Sequence, residues 1–393
     1  MNGLYTYNCS AGQAVLTVSA PVQAAALEAM GDRKGTIGIY NYKTGEILCM
    51  VSSPTYDPRL MVGRQRGTNN SLLSRNPHKP LLNRAIMGQY PPGSTFKTTQ
   101  ALTFLQEGII TPQTLYPCSH GFRYKGLTVG CHPHAAPIPL VPSLATSCNS
   151  FYCWGLFQMF SNRQKYDTVQ DAMTRWKDYM VSMGFGYALG VDLPGEKRGM
   201  IPNAPYYDKA YRGSWNGLTV ISISIGQGEV NATPLQIANL GATIANRGWF
   251  ITPHVVKDIQ DEDLDSLYTK RRYTMANAAN YEYVVQGMRQ AVLAGTCHAA
   301  NSPHYEVCGK TGTAQNPHGQ DHSAFMGFAP MDNPKIAICV YVENGIWGAT
   351  FGVPIGALMI EQYLTGGLSP ESEEKAKTFE ERHLIQVDNV IGK

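Results

Sequence analysis

The chain has 393 residues, 43% of them hydrophobic, enough to bury a large core in one big domain or two. Lys and Arg number 32 and Asp and Glu 29, a net charge of +3 with no dense basic stripe among aromatics, which argues against nucleic acid as the main partner. No apolar run reaches the roughly eighteen residues a membrane-spanning helix needs, and nine cysteines in so long a chain do not make a disulfide-stapled miniprotein.

The chain opens on MNGLYTYNCSAGQ, polar and without a secretory signal. Residues 1–13 are expected to be a remnant or linker, of either a cytosolic protein or an excised portion of a longer one. PVQAAALEAMG predicts a helix, and GTIGIYNYKTGEILCMVSS predicts a hairpin around Lys43-Thr44-Gly45. Residues 57–80, rich in Arg, Asn and Pro, predict a loop. STFKTTQALTFLQEG predicts a helix closed by Gly108, with Ser94 of the type preferred at a helix N-cap. Residues 111–140 are heavy in Pro, Gly, Cys and His and predict irregular structure, and VPSLATSCNSFYCWGLFQMF predicts two helices broken near Cys148 and Asn149.

GFGYALGVDLPGEKRGMIPN reads as a glycine-rich loop. TPLQIANLGATIANRG places Leu235, Ala238, Asn239 and Ala242 at helical spacing behind a Thr233 cap, with Pro234 at the first helical position. ANYEYVVQGMRQAVL predicts another helix. YEVCGKTGTAQ, HSAFMGFAP and KIAICVYVEN predict three consecutive strands, and VPIGALMIEQYLTG a last helix. Residues 367–393, with ESEEKAKTFEERHLIQ, read as a charged tail or surface helix without a function. This order predicts an α+β fold over residues 14–366: an antiparallel sheet that joins early and late strands, covered by helices. Cys49, Cys308 and Cys339 fall in strand-like apolar runs and read as small buried hydrophobes.

Three short motifs carry candidate chemistry: Ser94-x-x-Lys97 after a Pro-Pro-Gly turn, Ser147-x-Asn149 at a helix break, and Lys310-Thr311-Gly312 on a strand. Each is weak alone. GKTGTAQ is not a phosphate-binding loop, because that motif needs a glycine where His304 stands and a helix where a strand follows. Three residues along a helix put Lys97 one turn from Ser94, where a lysine of depressed pKa could take the hydroxyl proton. Burial would depress it, as would a second cation such as Lys310 if the fold brings it near.

Together and in this order, the trio resembles that of penicillin-binding proteins and serine β-lactamases. The blocks GEILCMVSSPTYDP, NRAIMGQYPPGSTFK, MGFGYALGVDLPGE, ISIGQGEVNATPLQIANLGATIANRG and CGKTGTAQNPHGQDHSAFMGFAP resemble the transpeptidase domain of class B penicillin-binding proteins, most of all the elongation-type, rod-system branch, over roughly residues 14–365. The resemblance implies the serine β-lactamase/penicillin-binding-protein transpeptidase fold and a D,D-transpeptidase that cross-links peptidoglycan. It implies Ser94 as nucleophile, Lys97 as base, Ser147 as proton relay and Asn149 as ligand of the substrate amide. Lys310, Thr311 and Thr313, with Gly312 between them, would hold the substrate carboxylate, and the backbone N–H groups of Ser94 and Thr313 would form the oxyanion hole. Implied partners are stem peptides ending in D-Ala-D-Ala, β-lactams and a polytopic glycosyltransferase, with no organic cofactor. The implied location is the periplasmic face of the cytoplasmic membrane, the chain being an excised soluble domain.

Alternatives are a carboxypeptidase or β-lactamase, which shares the trio but uses water as acceptor, and a sensor or scaffold that binds β-lactam or peptidoglycan without turnover, which would often lose Lys97, Ser147 or Lys310; all three are present here. A class A β-lactamase carries an extra glutamate. Glu196 lies in a block that matches the transpeptidases and is discounted for that role.

PCSHGFRYKGLTVGCHPHAAP, together with Cys148 inside Ser-x-Asn, gathers three cysteines and up to three histidines, a donor mix that suits structural zinc. Elongation-type relatives carry zinc here on two carboxylates, a histidine and a cysteine, and Cys118 and Cys131 depart from that pattern. The expected set is Cys118, Cys131, His134 and Cys148, with His132 or His120 as substitutes for His134. A Cys118–Cys131 disulfide and an inert buried Cys148 are the alternatives. NPHGQDHS holds His318, Asp321 and His322, whose spacing suits either a metal or, as the favoured reading, a hydrogen-bonded loop.

Overall fold

The computed structural model describes residues 13–380 and 390–391. The remnant assigned to the first residues and much of the charged tail therefore lie outside the described residues. The predicted hairpin forms from Gly35–Tyr40 (β1) and Ile47–Ser53 (β2). The late strands are Cys308–Ala314 (β3), His322–Ala329 (β4) and Ile336–Val342 (β5). They make one five-stranded sheet in the order β3-β4-β5-β1-β2, antiparallel throughout. Early and late strands are thus joined through β5 and β1, as their order in the chain predicts.

Period-2 alternation sorts the sheet into two cores. On β5, Ile336, Ile338, Val340 and Val342 enter one hydrophobic cluster, and Ala337, Cys339 and Tyr341 enter the other. All seven residues are buried, because helices cover both faces. Ala20–Met30 (α1) and Gly352–Thr365 pack on one face; Pro234–Ala245 packs on the other. The latter begins with a full capping box, in which Thr233 and Gln236 satisfy each other's backbone N–H groups. Cys49, Cys308 and Cys339 are buried.

The structure departs from the sequence reading in three places. Residues 57–80 contain a helix, Arg66–Arg75, in place of the expected loop. Leu73 is its one buried residue, so no apolar stripe betrays it. Within the irregular segment 111–140, Gly121–Tyr124 and Leu127–Gly130 pair as a small hairpin. Val169–Ser182, not among the predicted elements, forms a helix behind a Thr168/Asp171 capping box. Of the two readings for the charged tail, the surface helix is the one that forms: Pro370–Glu380 docks on the body through Phe379, whose ring lies 6.3 Å from that of Phe351.

Candidate active site

The stretch before Ser94 is tied down on several sides. Tyr90 exchanges backbone hydrogen bonds with Ala232, and the Tyr341 hydroxyl donates to Pro91 O at 3.2 Å. The Tyr90 hydroxyl donates to Glu343 (2.7 Å), which the buried Arg84 also reaches (2.9 Å). Gly93–Phe96 then forms a 3₁₀ turn, and the α-helix begins only at Lys97 (α2, Lys97–Gln106). Ser94 is therefore not the cap that its residue type suggests. Its side chain makes no cap hydrogen bond and is half-buried, with its hydroxyl in a cleft.

Ser147 and Asn149 stand at the break between helices Leu140–Ala145 and Asn149–Ser161 (α3). Ser147 adopts φ +58°, a left-handed conformation that costs a non-glycine residue free energy and gathers at functional sites. Lys310 and Thr311 lie on β3, the edge strand of the sheet, with no strand paired on its outer side. A cleft of about 280 Å³ is lined by Ser94, Ser147, Asn149, Thr311 and Thr313.

Beneath these residues, one hydroxyl joins the three motifs. Lys97 Nζ donates to Ser147 Oγ at 3.1 Å, and Lys310 Nζ donates to the same oxygen at 2.8 Å. Lys97 also reaches Ser147 O (2.6 Å) and Asn149 Oδ1 (2.5 Å). Both ammonium groups are buried. Burial pushes Lys97 down to about 8. Burial and then the neighbouring Lys97 push Lys310 down to about 7. Lys97 N–H donates to Ser94 O in the turn, but no hydrogen bond joins Lys97 Nζ to Ser94 Oγ; catalytic hydrogen bonds often tighten only with substrate bound.

The Ser94 turn, Gly226 and Thr313 are brought together by close backbone approach. Gly93 N donates to Gly226 O (3.0 Å), and a Cβ on Gly93 would stand 2.7 Å from Thr313 O and 3.3 Å from Thr313 N. Gly226, at φ +69°, has room for no side chain: a Cβ would meet Gly93 O at 2.3 Å. Gly226→Ala should therefore push the Ser94 turn aside and slow acylation of Ser94 by about tenfold to a hundredfold, the cost of a misplacement near 1 Å. Stopped-flow acylation kinetics check this; a rate within twofold of wild type would refute the constraint.

Sequence reasoning passed over several cleft residues. Gln227 Nε2 donates to Thr313 O at 3.1 Å, and Thr296 Oγ1 bonds Thr311 Oγ1 at 2.8 Å. Gln227 was visible within ISIGQGEV, but no local signal gave it a role. Trp347, also a lining residue, packs edge to face on His132, which the sequence had offered only as a metal ligand; the ring centroids lie 5.4 Å apart. Glu196 accepts the N–H groups of Leu189, Gly190 and Val191 at 2.8, 2.9 and 3.1 Å and is absent from the cleft lining. That carboxylate braces its own loop.

Beside the cleft, Cys118, Cys131, His134 and Cys148 present ligand atoms that all lie within 4.8 Å of one another. His134, not His132 or His120, is the histidine the fold brings in. Its Nδ1 faces Ala135 O (2.8 Å), which leaves Nε2 toward Cys131 Sγ (3.4 Å). The eight described cysteines are all free, so Cys118 and Cys131 are not bridged. Hydrogen bonding from Cys148 holds the Cys131 thiol far below the ordinary range. Asn149 N and Phe151 N donate to Cys131 Sγ (3.2 Å) and Cys148 Sγ (3.4 Å), so the cluster and the Ser-x-Asn turn share backbone. No metal-ligating group includes His318, Asp321 or His322 among the described residues.

A serine on a 3₁₀ turn, one helical turn from a buried lysine and facing Ser-x-Asn and Lys-Thr-Gly, defines an active-serine site of the penicillin-recognising class. The chain belongs to the penicillin-binding protein transpeptidase family: the family model described as "Penicillin binding protein transpeptidase domain" matches residues 35–355. It is 33% identical over 371 residues to the peptidoglycan D,D-transpeptidase MrdA of Acinetobacter baumannii, covering 85% of this chain and 51% of that protein. The chain thus spans about half the length of that relative. Among solved structures, PBP2 of Pseudomonas aeruginosa in complex with WCK 5153 superposes with a TM-score of 0.80 at 31% identity, covering 92% of this chain and 82% of that one. Penicillin-binding protein A of Mycobacterium tuberculosis, as a ceftriaxone acyl-enzyme complex, superposes at 0.73 with 27% identity, covering 90% and 80%.

Proposed function

We propose that this chain is the catalytic part of a peptidoglycan D,D-transpeptidase of the elongation type, inhibited covalently by β-lactams. The observation that carries the reading is the convergence of Lys97 and Lys310 on Ser147 Oγ, under the cleft that holds Ser94. Ser94 Oγ attacks the carbonyl carbon of the penultimate D-alanine, and its proton passes to neutral Lys97. The oxyanion faces the N–H groups of Ser94 and Thr313, each such donor typically worth ~10²–10³ in rate. As the amide C–N bond breaks, the proton returns through Ser147 Oγ to the leaving D-alanine nitrogen. Asn149 binds the donor's peptide amide, and Lys310, Thr311 and Thr313 hold its terminal carboxylate beside Gly312.

The acyl group on Ser94 then passes to an amine of a second stem peptide, which forms the cross-link and restores the serine proton. A β-lactam enters the same way, but its leaving nitrogen stays tethered. In this reading the domain works at the periplasmic face of the cytoplasmic membrane beside a polytopic glycosyltransferase, as the family resemblance implies. Among the described residues no helix is long and apolar enough to cross a membrane. Intact mass after mixing with a penicillin tests the reading: one stoichiometric adduct is expected, and none would refute it.

The reading includes structural zinc on Cys118, Cys131, His134 and Cys148. Tetrahedral Zn–S bonds of about 2.3 Å place sulfurs roughly 3.8 Å apart, compatible with a donor set gathered within 4.8 Å. When bound, the ion would supply no chemistry beyond a closed structural tie. The residues themselves join segment 118–134 to the turn that carries Ser147. Protein purified without added zinc should hold about one equivalent. A ratio near zero in folded material that still binds penicillin would overturn the zinc assignment and leave the transpeptidase reading intact.

A further inference from the structure

The cleft has two lysines under its floor and, among its lining residues, a single carboxylate, that of Asp321. We infer that Asp321 captures the cationic amine of the acceptor stem peptide at the mouth of the cleft; this rests on the transpeptidase reading above. Asp321 directly precedes β4, whose first residue, His322, pairs with Ala314 at the end of β3. It thus stands opposite Gln315, another lining residue. Strand rise and spacing put its Cα roughly 8 Å from that of Thr313, the proposed oxyanion donor.

The carboxylate is held in place but not neutralised. Oδ1 accepts the Asn316 N–H at 3.2 Å, and the Asp321 carbonyl accepts the Ile346 N–H at 2.8 Å. Asn316 Nδ2 braces the loop further through Asn344 Oδ1 at 2.8 Å and Gln320 O at 3.2 Å. Among the described residues no Lys, Arg or His pairs with Asp321, and Oδ2 has no protein donor. His322 next door is not a competing cation: burial pushes its pKa down, and Nδ1 accepts the Asn344 N–H.

The two substrates of a transpeptidase carry opposite charges at their recognised ends. The donor ends in a carboxylate, which the lysine floor attracts. The acceptor arrives as an ammonium ion, since a side-chain amine titrates near ~10.4, and the same floor repels it. A carboxylate at the mouth reverses the local field on the approach side and raises acceptor occupancy against water. To attack, the captured ammonium gives one proton to the neutral Lys97 amine or to solvent; as the C–N bond forms and the ester C–O bond to Ser94 breaks, the second proton returns to Ser94 Oγ. Asp321 would then bias the acyl-enzyme toward cross-linking over hydrolysis.

The test uses the acyl-enzyme formed from a peptide thioester donor and scores aminolysis against hydrolysis. The acceptors are Nα-acetyl-lysine amide, a cation at neutral pH, and hydroxylamine, which is uncharged there. Asp321→Asn keeps the acceptor for the Asn316 N–H and removes the charge. It should raise the half-saturating concentration of the lysine amide about tenfold relative to that of hydroxylamine, the weight of one charged contact, with the change in that constant and not in the limiting transfer rate. Asp321→Glu should restore most of the preference. An unchanged ratio, or equal losses for both nucleophiles, overturns the inference. A wild-type chain that forms no adduct with penicillin or thioester sinks the transpeptidase reading itself, and the inference with it.

Discussion

Ser94→Ala, mixed with a penicillin, is expected to show no covalent adduct by intact mass, where the wild type gains one. Removing a nucleophile typically lowers turnover by about 10⁴–10⁶, which takes acylation below detection on the time of the experiment. The substitution should leave the fold alone. The Ser94 side chain is half-buried and caps no helix, so no buried partner is stranded by its loss. Surface-like changes of this kind usually shift stability by less than about 0.5 kcal/mol. Thermal melts alongside the mass spectra separate a dead site from an unfolded one. An adduct that persists on the folded variant would move the nucleophile elsewhere in the chain.

Lys97→Met should lower acylation by about 10²–10⁴, the usual contribution of a positioned general base, and should also remove its pH dependence. The base works in its neutral form. Burial lowers Lys97 from 10.5 to about 8, so at pH 7 about one molecule in ten carries the neutral amine, against roughly one in 3,000 without the shift. Lys97 and Lys310 share Ser147 Oγ and repel, so the pair sheds its protons in two steps. Acylation by the wild type should climb with a slope of about tenfold per unit on the acid side and level off between about pH 7 and 8.

In Lys97→Met that limb should vanish, leaving a slow rate that is flat over the same range. A variant that keeps the limb would place the base at another group. The same shifts bear on stability. Because these lysines bind protons less readily folded than unfolded, stability should rise with pH from about 7 toward 10.5. The loss of Lys97 also leaves Ser147 O and Asn149 Oδ1 without their donor, so Asn149 is expected to loosen.

By itself the sequence determined what depends on near neighbours and on order. The hairpin at 35–53, the Thr233 cap, the strand at 336–342 and the helical spacing of Ser94 and Lys97 were legible, because each is set within a few residues of the chain. The order of the three motifs and the matching blocks around them pointed to the family and its sheet. Only the tertiary structure decided that Lys97 and Lys310 meet on one hydroxyl, although 213 positions separate them. It alone selected His134 over its neighbours, moved Ser94 from helix cap to 3₁₀ turn, and set Gln227 on Thr313 and Asp321 in the cleft. The helix at 66–75 stayed hidden because its buried face is one leucine wide. The physical reason is common to all of these: which distant groups touch is settled by packing around a shared core and by loop closure, and residue spacing along the chain carries no record of either.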